Sequence, residues 1–256
     1  LNEVEAKICK YREAKSEDGS VSYHIVTNMT TFYPEGGGQI GDTGKLISSA
    51  DEIQVIDSYR DSGDIIHLTK KLPTNLESQD RLKIATKRRS LIEANHTGTH
   101  LLHQALRNIL GDHVEQRGSM ISDEMFRFDF SHPSKLSSSD LHSINSFVNS
   151  KIKESIPLVE NREEDYETAI NNGAIGLFTE KYEDKVRTVK FNESYELCGG
   201  THAKNTSKLK TFSIISEVSQ AFGIRRITAT CNEEIILKEL EKKKASQEKA
   251  ANEKVN

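Results

Sequence analysis

Apolar positions change their period near residue 85 of the 256-residue chain. Before that point they fall in short runs rich in β-branched residues, such as Tyr23-His24-Ile25-Val26, Ile53-Gln54-Val55-Ile56 and Ile65-Ile66-His67-Leu68. Turn residues separate the runs, at Glu17-Asp18-Gly19-Ser20, Asp61-Ser62-Gly63-Asp64 and Leu72-Pro73-Thr74-Asn75. Short strands at this spacing predict a small antiparallel barrel over residues 1–86. After it, Leu91, Ala94, Leu102, Leu106 and Ile109 follow helical spacing from Ser90 to Leu110, with Gly111 placed to end the helix.

The pattern continues to the C-terminus. Phe126-Arg127-Phe128-Asp129-Phe130 alternates strictly and predicts a strand with one aromatic face. Ser138-Ser139-Asp140 reads as the cap of a helix carrying Leu141, Ile144, Val148 and Ile152, stopped by Ile156-Pro157. A helix is expected from Asp165 to Asn171 and a strand over Val186–Lys190. A hairpin of Phe212–Val218 and Ile224–Thr230 turns around Gly223, and Asn232 caps a last helix whose apolar stripe ends after Leu240. The fold class predicted is α+β: a barrel (1–86), an α/β domain (87–232) and a C-terminal helix (233–256) that starts a linker.

Composition narrows the function. Charged residues make up 29% and hydrophobic ones 35%, with a formal charge of −4, so no global basic character advertises a nucleic-acid partner. No run is long enough to span a bilayer, and no signal peptide opens the chain. Three widely spaced cysteines argue against a disulfide framework and for a reducing, cytoplasmic setting. Cys9 and Cys231 read as small buried side chains. Leu1 in place of Met suggests a piece of a longer protein.

The candidate chemistry lies in two stretches. His96 and His100, in His-Thr-Gly-Thr-His, are four apart on one helix face. Cys198 and His202 repeat that spacing across two glycines, which let the backbone turn tightly. One such pair is a weak signal, but two pairs make a three-nitrogen, one-sulfur shell that suits zinc. His103, one turn after His100, reads as a supporting or solvent-facing histidine. The glycine-rich stretch Thr31 to Gly44 lacks a following Gly-Lys-Ser/Thr, so it reads as a tight loop between barrel strands.

These stretches resemble a known family. His96 to Ser119, Arg127 to Pro133, Phe178-Thr179-Glu180-Lys181-Tyr182 and Glu196 to His202 are similar to the editing domain of alanyl-tRNA synthetases. Phe32 to Gly44 resembles a loop in the barrel that precedes that domain. Free-standing alanyl-tRNA editing proteins share both metal pairs; threonyl enzymes share them in a looser form and should lack the barrel. Gly98 departs from the alanine usual in the family, a change of modest helix cost.

The resemblance implies a zinc-containing deacylase. It would cleave the ester joining serine, and also glycine, to alanine tRNA, as part of a synthetase whose aminoacylation and C-terminal domains lie elsewhere. Zinc would activate water, polarise the carbonyl or hold the substrate. Four protein donors fill a tetrahedral shell, so Cys198 is the expected labile one. Thr99 and Gln116 match family positions near the substrate, where hydrogen bonds to the serine hydroxyl would separate serine from alanine; Thr97 is a lesser candidate. Taken alone, Thr99 would be a helix-backbone hydroxyl and Gln116 a loop amide. Lys87, Arg88, Arg89, Arg225 and Arg226 are the candidate tRNA contacts, guiding the acceptor end between barrel and zinc domain, with a solvated face as the plain alternative. Other readings are a zinc-stabilised tRNA-binding module without catalysis, a free-standing trans-editing protein, or a metal hydrolase of another ester or amide.

Overall fold

The computed structural model describes residues 1–176 and 183–253, with side-chain surroundings as far as residue 246. The Phe178–Tyr182 motif lies outside the described residues. Two compact units divide the chain, Leu1–Ser90 and Leu91–Asn256.

The first unit is a closed antiparallel barrel. Its strands are β1 (Glu3–Lys15), β2 (Val21–Thr27), β3 (Gly44–Ile47), β4 (Glu52–Asp61), β5 (Asp64–Thr69) and β6 (Gln79–Ile84), in the spatial order β1-β2-β5-β4-β3-β6. Closure comes from β1 pairing with β6, Glu3 opposite Lys83 through Lys7 opposite Gln79. Alternation drives it: on β6, Asp80, Leu82 and Ile84 are buried while Gln79, Arg81 and Lys83 face water. Ala6, Ile25, Leu46, Ile53, Val55, Leu82 and Ile84 form the core. Strand β1 alternates over Glu-Val-Glu-Ala-Lys-Ile, with Ala6 buried and Val4 and Ile8 packed against the core, but from Cys9 to Lys15 it is polar and mostly exposed, and pairing with β2 decides its conformation there.

The glycine-rich stretch connects β2 to β3 and packs back onto the barrel. Phe32 joins the core. A Cβ on Gly41 would stand 2.0 Å from the Ser58 carbonyl oxygen, and one on Gly44 2.2 Å from that of Lys83, so only glycine fits at either place. Asp42 accepts from the Tyr33 amide at 2.6 Å and from Arg89 Nε at 2.9 Å, while Arg89 also donates to the Thr31 carbonyl at 3.0 Å and Arg88 to that of Gly41 at 2.7 Å. Arg88 and Arg89, expected as tRNA contacts, thus hold this loop.

The second unit contains helices α1 (Thr86–Leu110, begun in the first unit), α2 (Ser138–Lys153), α3 (Tyr166–Asn171) and α4 (Glu233–Glu253). One antiparallel sheet has the order β12 (Ser213–Ala221), β13 (Ile224–Thr230), β8 (Phe126–Ser131), β7 (Gln116–Ile121); the other runs β11 (Ser194–Leu197), β10 (Lys185–Phe191), β9 (Val159–Asp165). Phe126, Phe128 and Phe130 are fully buried, as the alternation predicted. They meet α1: the His103 ring lies 5.3 Å from that of Phe128, and a Cβ on Gly98 would come 3.3 Å from Phe126.

Several local expectations change. The cap of α2 is Ser137, whose side chain accepts from the Asp140 amide while Asp140 accepts from the Ser137 amide, a reciprocal pair that competes successfully with Ser138. Asn232 does cap α4, accepting from the Glu234 amide at 3.0 Å. Gln116 opens strand β7 and is not in a loop. Cys9 is exposed, because its position on β1 faces outward; Cys231 is buried.

Gly98 has a tertiary reason that offsets its helix cost. An added Cβ would stand 2.9 Å from Cys231 Sγ, with the buried Phe126 behind it. Gly98→Ala should therefore lower stability by about 1–3 kcal/mol through overpacking, against a helix-propensity gain of about 1 kcal/mol. Adding Cys231→Ala should restore part of the loss. A denaturant series over the two single variants and the double one measures this coupling; purely additive effects would contradict it.

Candidate metal centre

Helix α1 supplies His96 and His100 on one face. The turn after β11 supplies Cys198 and His202. The four candidate ligand atoms all lie within 4.8 Å of one another. Cys198 Sγ is 3.4 Å from His96 Nε2 and 3.3 Å from His202 Nε2, and the His202 ring centroid lies 4.2 Å from that of His96 and 4.4 Å from that of His100. Local sequence explains the meeting. Small residues at Thr97, Gly98 and Thr99 let α1 pack closely, and Gly199-Gly200 lets the turn bring its thiol and imidazole to one point.

The electrostatics fit a cation. Burial holds His96, His100 and His202 below the usual imidazole range, so each keeps a neutral ring with a lone pair to give. His100 Nδ1 is buried with no hydrogen-bond partner among the described residues. Burial pushes the Cys198 thiol up to about 12, although the Gly200 amide, 3.4 Å from the sulfur, works the other way. A thiolate there requires a bound cation. The set of three nitrogens and one sulfur can hold a metal ion.

Three side chains brace this set, and the sequence alone did not single out their roles. Thr97 Oγ1 lies 3.2 Å from His202 Nδ1 and accepts from the Ala203 amide at 3.1 Å. Arg187 Nη1 donates to the carbonyls of Cys198 and Gly200 at 2.6 and 2.7 Å, pinning the turn. Glu196, 2% exposed, faces His103 and His100. Burial acts to raise its carboxyl, but the two histidines outweigh that and hold it below its ordinary value. One signal for Glu196 was available: it lies two residues before Cys198 in the chain, next to the candidate ligand.

The remaining expected residues are placed as follows. Thr99 is 3% exposed and donates to the Asn95 carbonyl at 2.9 Å, which leaves its oxygen free to act as an acceptor. Gln116 Nε2 donates to Ser119 Oγ at 3.2 Å. Arg226 pairs with Asp129 at 2.6 and 2.7 Å, and Arg225 Nε donates to Glu217 at 2.5 Å. Both are committed within the sheet, and Lys87 is exposed on the first turn of α1.

Comparison with known proteins points to the tRNA synthetases. Residues 2–89 match the class II (A) tRNA synthetase family, and residues 186–228 match the second additional domain of threonyl and alanyl tRNA synthetases. The chain is 49% identical over 232 residues to the alanine–tRNA ligase of Christiangramia forsetii. The chain thus carries segments of tRNA synthetase domains and is similar, over most of its length, to a part of alanine–tRNA ligases. The ligases of Bacteroides fragilis and Porphyromonas gingivalis are 45% and 42% identical to it over 227 and 230 residues. These alignments cover 90%, 89% and 90% of this chain but only 27%, 26% and 26% of the three ligases, so the chain spans about a quarter of its relatives. The second additional domain match includes Cys198 and His202; His96 and His100 fall in residues 90–185, outside both family spans. Among the described residues, no helix is long and apolar enough to cross a membrane.

Proposed function

We propose that the chain is an editing deacylase that hydrolyses serine, and also glycine, from mischarged alanine tRNA, with zinc at His96, His100, Cys198 and His202. The observation that carries this reading is the convergence of the four donors in a relative of alanine–tRNA ligases. Zinc bound there would supply Lewis-acid polarisation of an ester carbonyl, or activation of a nucleophilic water. The chain's own residues would do the rest. Arg187 holds the Cys198 turn, Thr97 fixes the His202 ring, and the buried surroundings strengthen polar contacts with the substrate. Cys198 is the one donor residue with partial exposure, which supports it as the side that opens to substrate.

A second reading is favoured by the full tetrahedral set: a structural zinc in a tRNA-binding module without chemistry. Deacylation of serine-charged alanine tRNA, with and without chelator, separates the two. Hydrolysis that is lost on chelation while the fold persists supports editing. No hydrolysis by zinc-loaded protein leaves the binding module.

Selectivity would rest on Thr99 and Gln116. With its proton committed to Asn95, the Thr99 oxygen would accept from a serine hydroxyl, and alanine would leave it unpaired. Thr99→Val keeps the shape and should cost about 0.5–1.5 kcal/mol of transition-state binding for serine. Rates on one tRNA charged with serine, glycine or alanine should show the serine rate falling most. An equal fall in all three would reduce Thr99 to a packing residue.

A further inference from the structure

We propose that Glu196 is a positioning residue that sets the His100 ring in the metal centre, with His103 bracing the carboxylate from behind. This rests on the metal reading of His96, His100, Cys198 and His202. Glu196 stands on β11, and both its oxygens are directed at histidines of α1. Oε1 lies 3.1 Å from His103 Nδ1, and Oε2 lies 3.5 Å from His100 Nε2. The first is a hydrogen bond; the second is an electrostatic contact at the long end of the range. His100 and His103 are three residues apart on the helix, so one carboxylate on the facing strand can meet both.

A carboxylate that is 2% exposed is costly to bury unless its partners make use of the charge. Here the partners are two rings, one of them a metal donor. The His103 ring is itself seated against Phe128, so the order of support runs from the aromatic face of β8 through His103 and Glu196 to His100. With His100 Nδ1, buried and without a hydrogen-bond partner among the described residues, turned to the ion, a carboxylate at Nε2 fixes the ring's orientation and raises its basicity, and loss of such a partner lowers metal affinity 10- to 100-fold in general. Thr97 gives His202 a comparable contact through its hydroxyl.

The test uses the full chain titrated with Zn2+ against a competing chromophoric chelator, and with Co2+ followed by its visible bands. Glu196→Gln preserves volume and removes the charge; it should weaken Zn2+ binding about 10- to 100-fold and shift the Co2+ bands. His103→Ala should move both readouts in the same direction by less. Unfolding of chelator-treated protein is measured in parallel, because a residue needed only for the fold would lower that stability and leave the affinity alone. If Glu196→Gln does not fold, Glu196→Asp, which keeps the charge but draws it back, should show the same loss of affinity. Affinity within about twofold of the parent, with unshifted Co2+ bands, would overturn the proposal if His100→Ala abolishes binding. If His100→Ala also binds as the parent does, the metal reading fails and the proposal with it.

Discussion

His100→Ala and Cys198→Ala proteins are expected to lose stoichiometric zinc, and with it deacylation of serine-charged alanine tRNA. The physical reason is the donor set itself. Among the described residues the cluster offers three imidazoles and one thiol, so removing one of them leaves three donors of the four-donor set. Binding free energies of about 10–16 kcal/mol are found for zinc held by such donors in small folding units, so losing a ligand should be felt in the second unit's stability as well. Metal analysis, far-ultraviolet circular dichroism and the deacylation rate, taken on the same samples, separate the outcomes. Zinc retained in both variants would refute a shared site. Zinc lost together with the fold would favour a structural ion, and zinc lost with the fold kept but hydrolysis abolished would favour a catalytic one.

Asp42→Asn should destabilise the barrel unit. The Asp42 side chain is 2% exposed and that of Arg89 13%, and the carboxylate is also fastened to the Tyr33 amide. Removing the charge weakens two charge-assisted hydrogen-bonded contacts at once, to the Arg89 guanidinium and the Tyr33 amide, at a cost of about 1.5–3 kcal/mol. Hydrogen exchange of barrel amides reads this directly, since the chain has two units and a single unfolding midpoint would mix them. Unchanged protection in Asp42→Asn would show that water or another group satisfies Arg89. The same geometry bears on tRNA binding: reversing the charge of Arg89 would unfasten the loop, so a loss of affinity there would not identify a phosphate contact.

Much of this protein is legible along the chain because the signals are local. Alternation over Phe126–Phe130 and the 3.6-residue period after Ser90 identify the buried strand and the long helix. Four-residue spacing marks each half of the donor set. The second half of β1, Cys9 to Lys15, carries no such signal, since its conformation follows from pairing with β2. Arg89 shows the same limit in charge: its partner Asp42 lies 47 positions away, so no local pattern of basic residues reveals the pair.

The sequence by itself determined which residues can donate to a metal and which faces must be buried, because spacing and side-chain chemistry are properties of adjacent residues. Tertiary structure alone decided how they are used. Packing α1 against β8 and β11 set Glu196 and His103 behind His100, put Thr97 on His202, and fitted the Cys231 sulfur where Gly98 has no side chain. Those pairs lie 93 to 133 positions apart or nearly so, and no local period can encode a contact whose partner arrives only when separate elements pack.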